Sequence, residues 1–190
     1  MSTELLLDSL QRRMRTMHSL YYQAVETMGL DHVNHFEREG VLPIAFSLFH
    51  YTNMEDTSFL LITGAMPIWD ESWQDKVQLT INDHGKHRRV EEMVAQRIGD
   101  YEAFKDYQRQ VFDRTEAWLA QLDPAELVRV VIERPFPPQI ASTYSARVAA
   151  PGVGITVLDA TECWLYQHGL RHMGEIELSR GLVGLGGMTS

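Results

Sequence analysis

Four separate stretches of this chain carry apolar residues at a strict three-and-four spacing, and that periodicity narrows the possible folds more than any other feature. In the first stretch Leu7, Leu10, Met14, Met17, Tyr21, Ala24 and Met28 form one continuous stripe, the pattern of a helix with one face in a core. Ser2 and Thr3 are candidate N-caps, and Gly29 with the polar stretch 31–40 supplies a stop and a connecting loop. Pro43 stands where a first helical position would be, since its missing N–H needs no partner there, and the run 44–62 before Gly64 predicts a second helix. This second helix is apolar nearly all round and must be covered on most sides, so its polar members His50, Asn53, Glu55, Asp56 and Thr57 call for an explanation.

A third helical region is expected over 88–122, with a break at Gly99, a fresh N-cap at Asp100 and the stripe Tyr101, Phe104, Gln108, Val111, Thr115, Trp118, Leu122. Thr156 and Asp159 form a capping pair for a fourth helix reaching about Gly181, with the stripe Leu158, Thr161, Leu165, His168, His172, Ile176. Between these helices 65–86 reads as a long loop with a short helical turn, and loops of that length in small domains often serve function. Asp123-Pro124 starts one short helix, 128–132 and 135–151 look extended or irregular with no sheet assigned, and the glycine-rich tail 184–190 is expected to fray. The four stripes together predict an all-α fold, an antiparallel four-helix bundle with long connecting loops, as a single domain over 1–190.

Composition removes several functions. A formal charge of -9 with no basic run argues against nucleic acid as a partner. No apolar run is long enough to span a membrane. A lone Cys163 and an N-terminus without a basic stretch and apolar signal core lead to an expected cytoplasmic location. No nucleophile elbow, phosphate-cradling loop or dinucleotide fingerprint is present.

The histidines carry the chemistry. His168 and His172 are four apart on the core-facing stripe of the fourth helix, so their rings leave the same face about 6 Å apart, near enough to converge on one ion. His50 lies on the most apolar helix with Phe46, Met54 and Leu61 on its own face, so it too is expected to point inward. Three imidazoles from two helices would make a three-ligand site with one position left for water or substrate, the arrangement of catalytic rather than structural zinc. The plain alternative is that each ring is a core histidine bonded to a carbonyl or carboxylate. The pairs His32/His35 and His84/His87 fall in polar loops and read as surface, and His18 reads as a boundary residue beside the first stripe.

Two windows, 43–50 followed by Glu55, and 168–176 running on to Leu182, resemble the DinB-like (DinB/YfiT-like) family. The first contains Leu48-Phe49-His50, and the second His168, His172, Gly174 and Ile176 in a His-x3-His-x-Gly-x-Ile pattern. The resemblance implies a four-helix bundle, often dimeric, with a divalent metal held by His50, His168 and His172. It also implies one divalent transition-metal ion, zinc or nickel ahead of iron, and activities that include thiol-dependent S-transfer with mycothiol or bacillithiol and a mycothiol-dependent maleylpyruvate isomerisation.

The expected function is therefore a metal-dependent enzyme, a thiol-dependent S-transferase or a hydrolase, acting on a small electrophilic molecule, with a low-molecular-weight thiol as possible cosubstrate and a homodimer as the assembly. The alternatives are a non-catalytic metal-binding or stress-response helical bundle protein, and a purely structural bundle. Glu55 and Glu175 are the candidate catalytic groups and, with Asn53, candidate partners behind the ligands, because ligating histidines hand their other N–H to a carboxylate or carbonyl. Gln108 and Thr115 are expected to face the site or satisfy each other, and Trp69, Trp73 and Tyr101 to line its mouth. Cys163, five residues before His168, points away from the ligand face if the helix is regular, and reads as buried and inert.

Overall fold

The computed structural model describes residues 2–188. Among the described residues four long helices carry the core: α1 (Thr3–Glu26), α2 (Ile44–Thr63), α3 (Tyr101–Gln121), and α4, a continuous run of three segments, Val157–Ala160, Thr161–Tyr166 and Gln167–Leu182. The capping chemistry follows the sequence at Ser2, Asp100, Thr156 with Asp159, and Gly64. Pro43, however, is the N-cap of α2 rather than its first residue, and the first helix ends at Thr27, with Gly29 capping a short helix Leu30–Val33 in the expected loop. The Ser2 and Asp100 side chains accept N–H groups of α1 and α3, Thr156 and Asp159 form a capping box on α4, and Gly64 closes α2 in the left-handed conformation. Helix α1 packs against α3 and α4, and α2 packs against the same two. All seven residues of the first stripe are buried, and α2 is buried on nearly every side.

The connections differ from expectation in several places. The region before α3 is not one broken helix, because 88–100 contains only the short helix Val90–Met93. The strands β1 (Val130–Ile132) and β2 (Ile155–Thr156) pair antiparallel into a two-stranded sheet that the sequence did not suggest. Two short helices, Pro138–Ala141 and Tyr144–Val148, occupy the stretch expected to be irregular, and Glu71–Val77 is the helical turn of the long loop. The described part of the tail does not fray. Buried Arg180 bonds the Gly186 carbonyl, and the Met188 N–H bonds the Glu177 carboxylate; residues 189–190 lie outside the described residues. No described helix is long and apolar enough to cross a membrane.

His18 is a correction. Rather than sitting at the boundary of the stripe it is fully buried, stacked on Phe112 at 4.0 Å between ring centroids. Its two ring nitrogens bond Glu116 (2.8 Å) and Glu55 (3.2 Å). Burial alone would pull its pKa down, but the charge of Glu55 and hydrogen bonds with Glu116 and Glu55 carry it up to about 9. Burial pushes the Glu55 carboxyl up, and the charge and hydrogen bond of His18 overcome this and hold it below its ordinary value. The core thus contains an imidazolium–carboxylate pair.

The pair's contribution to stability has a definite pH window. The His18 part is complete below its unfolded pKa of 6.5 and lost as pH rises through about 9. The Glu55 part is complete above 4.5 and lost as pH falls through its lower folded value. Replacing His18 with Gln should lower the unfolding free energy by on the order of 3–5 kcal/mol at pH 6, because a buried charge loses its partner. Denaturant titrations at pH 6 and pH 10 should show the gap from wild type narrowing at the higher pH. A gap of equal size at both would assign the effect to packing on Phe112.

Candidate metal centre

His50 from α2 and His168 and His172 from α4 each offer a ring nitrogen, and these atoms all lie within 4.8 Å of one another. The Nε2 atoms of His168 and His172 are 2.9 Å apart. His50 and His168 are each only 8% exposed. The two helices come this close because the residue after His168 has no side chain. A Cβ on Gly169 would stand 2.3 Å from Met17 Sδ and 2.7 Å from Tyr51 Cζ, and the Gly169 carbonyl accepts the Tyr21 hydroxyl at 2.8 Å.

Two of the imidazoles are held from behind. His50 Nδ1 donates to the backbone carbonyl of His84, and because a carbonyl can only accept, the proton is on Nδ1 and the Nε2 lone pair is free. His172 Nδ1 lies 2.7 Å from the Glu175 carboxylate, which also accepts from the Ser47 hydroxyl of α2 at 2.9 Å. The backbone of Trp164, four residues earlier on the same helix, lies beside His168. Burial lowers the pKa of His50 to about 4, with the His84 carbonyl opposing the shift and the charges of His172 and His84 adding to it. Burial, then the charges of His172, His50 and Arg171, lower that of His168 to about 2. Both rings are therefore neutral at pH 7. The facing Nε2 atoms of His168 and His172 can share a cation, or a proton donated by one ring to the other.

The carbonyl behind His50 comes from the long loop, which is pinned at both ends. Asp56, fully buried on α2, takes the Ile68 and Trp69 N–H groups at 2.9 and 2.8 Å and the Arg114 guanidinium at 2.6 Å. At the other end Asp83 accepts the Gly85 N–H and a two-pronged contact from Arg88. Gly85 has φ +73°, and a Cβ there would meet the Phe46 ring at 2.6 Å. Phe46 itself stacks beside His50 at 5.3 Å. This is the purpose the sequence left open for residues 65–86.

The histidines open on a cleft of 510 Å³ whose near wall is Phe46, Met54 and Leu61 of α2 and whose far wall is Thr143, Tyr144 and Ser145 of the short helical segment. Trp164 lines it too, its indole N–H bonded to Ser145 Oγ at 2.8 Å. Cys163 also lines the cleft, which corrects the expectation that it points away. Residues Thr161–Tyr166 form a π-helical segment, in which the Gln167 N–H reaches back to the Glu162 carbonyl. The wider turn shifts the register ahead of His168, and Cys163 and His168 line the same cleft. Its thiol is buried, and burial with the charges of Asp159 and Glu162 pushes its pKa up to about 11, so the inert reading stands.

Other candidates separate cleanly. Glu175 reaches the cluster, but Glu55 does not: its carboxylate bonds His18 and Tyr51 in the core and lines no part of the cleft. Asn53 donates to Tyr107, and Gln108 to Thr52, away from the histidines. Thr115 lies by Glu55 in the core. Trp69 and Trp73 pack on Tyr107, and Tyr101 bonds the Val25 carbonyl. Sequence reasoning missed Ser47 and the backbone carbonyl of His84, and only the glycine after His84 offered a hint.

The chain matches no family model and no curated protein. Among solved structures it is similar to the crystal structure of a conserved protein from Enterococcus faecalis, with 17% sequence identity and a TM-score of 0.69 over 97% of this chain and 99% of that one. At that identity the likeness is one of fold.

Long-range nitrogen-15 correlation spectra of metal-free protein at pH 7 should report His50 and His168 as neutral and His50 as the Nδ1–H tautomer. Gly85→Ala, strained and crowded against Phe46, should disturb the His50 signal and leave that of His168 in place. An Nε2–H tautomer at His50 in wild type would contradict the orientation described.

Proposed function

We propose that this chain is a DinB-like metal-dependent enzyme, an antiparallel four-helix bundle that binds one divalent transition-metal ion through His50, His168 and His172 and acts on a small electrophilic molecule. The observation that carries the reading is the tautomer pattern. Ligating histidines characteristically give their other N–H to a carbonyl or carboxylate, and His50 and His172 have such partners while ring nitrogens of all three histidines converge. Three imidazoles suit zinc, nickel or iron, and three protein ligands leave a coordination position for a further group.

An ion there would supply Lewis acidity, lowering the pKa of a water or thiol or polarising a carbonyl. The chain's own residues do the rest. Glu175 keeps the His172 proton on Nδ1, the His84 carbonyl does the same for His50, and the apolar walls of Phe46, Met54 and Leu61 limit water around the reacting groups. Cys163 is too weakly acidic to serve as the nucleophile, which favours an incoming low-molecular-weight thiol, as in an S-transferase, or water, as in a hydrolase. The open cleft favours catalysis over the alternative of a passive metal-binding or stress-response protein, since an ion held only for storage needs no access for a second molecule. A homodimer and a cytoplasmic location belong to the same reading.

Elemental analysis of tag-free protein should find close to one equivalent of transition metal in wild type and none in His50→Ala or His168→Ala, with helicity retained. Glu175→Gln should still bind the ion, about 10- to 100-fold more weakly. Unchanged metal content in the histidine variants would end the site assignment. For the reaction, a panel of electrophiles with several thiols or with water alone should reveal turnover that a chelator removes and the metal restores. Stoichiometric metal without any such turnover across the panel would favour the passive binder.

A further inference from the structure

The charge around the cleft runs against the charge of the chain. The protein is formally -9, yet the cleft is lined by two cations, Lys86 and Arg171, and by a single carboxylate, Glu175. That carboxylate is already engaged by His172 and Ser47. Among the described residues neither Lys86 nor Arg171 makes an ion pair, and of the cations without one these two line the cleft. The two cations arrive from different elements. Lys86 follows Gly85 in the loop that backs His50, and Arg171 stands in the turn of α4 between the two histidines, close enough for its charge to act on His168. Beyond them the lining is predominantly apolar, with Met54, Leu61 and Trp164 among its residues.

We infer that the cleft selects a small organic anion, its acidic group received by Lys86 and Arg171 and its apolar body laid along α2 and Trp164. Unpaired cations beside an apolar surface recognise this combination. Charge-assisted hydrogen bonds from a guanidinium and an ammonium are stronger than neutral ones, and the apolar body adds area removed from water. A neutral or cationic molecule of the same shape would leave both cations unpartnered and gain only the second part. The inference rests on the proposal that this cleft receives the substrate, and it specifies the substrate's charge.

Octanoate, octanol and octylamine share one apolar chain and differ in the head, so they separate the two contributions. Calorimetric titrations should be run on metal-loaded and chelator-stripped protein, with metal content measured on the same samples. Octanoate should bind stripped wild type about tenfold or more tighter than octanol or octylamine. The double variant Lys86→Gln/Arg171→Gln should reduce octanoate to the level of octanol. Leu61→Glu, at a half-exposed position where folding is not at risk, should abolish octanoate binding by repulsion. Equal affinity for the three probes in wild type, or a preference that persists in the double variant, would overturn the inference. So would a preference that vanishes on chelation and ignores the double variant, because it would assign the acidic group to the ion and leave the metal reading standing. A preference that obeys the double variant in protein that never takes up metal would uphold the inference while the metal reading fails.

Discussion

A neutral imidazole has one ring proton, and in a core that proton must find an acceptor while the opposite lone pair must find something positive or a donor. Much of the local structure around His50, His168 and His172 answers this requirement. Rings whose nitrogens converge on a cation can satisfy it only if each proton is drawn outward. The acceptors for His50 and His172 come from two kinds of structure: a loop carbonyl at His84 and a side chain at Glu175. Each acceptor in turn needs something to hold it. Ser47 holds Glu175, and Asp83 and Arg88 hold the turn at Gly85.

The same requirement explains why the most apolar helix carries two buried carboxylates in succession. Glu55 faces α1 and α3, where it is paired with His18, and Asp56 faces α3 and the start of the long loop, where it is paired with Arg114. Removed from water, neither would stay ionised without a cation and further hydrogen bonds. Asp56 in particular converts an ion pair in the core into an anchor for backbone outside it, since its oxygens fix Ile68 and Trp69. The loop is then tied again by the exchange between the Gln96 amide and the Ile81 backbone before it reaches His84. A connection with little regular structure can therefore present one carbonyl to His50 with helical precision.

What could be read from the sequence follows from what periodicity measures. The stripe of α1 is buried residue for residue, and the stripes of α2 and α4 placed His50, His168 and His172 inward because a core position is a matter of spacing. Spacing assumes a regular helix, and the π-helical segment Thr161–Tyr166 breaks that assumption one turn before His168. That is why regular helical spacing puts Cys163 on the wrong face. His18 escapes the pattern for a different reason: its position beside the stripe is visible, but the carboxylates that make burial tolerable come from Glu55 on α2 and Glu116 on α3, and no local pattern reports them. The antiparallel pairing of β1 with β2 joins residues more than twenty apart through strands too short to show alternation. Glu55 and Glu175 looked alike as candidates because each is a carboxylate near a histidine in sequence. Only the packing of α4 on α2 separates the one that touches the cluster from the one committed to the core.

The cluster and the cleft also differ in origin. The three histidines and Glu175 belong to α2 and α4, elements fixed by the core. The far wall and one of the two cations belong to the connecting segments, and the segment that carries Lys86 also supplies the His84 carbonyl behind His50. Trp164 stands at the junction, one turn before His168 on α4, with its indole N–H fixing Ser145 of the connecting segment. A change in that segment can therefore reach the turn that carries His168 through one side chain, and the wall of the cleft and the histidine cluster are not independent.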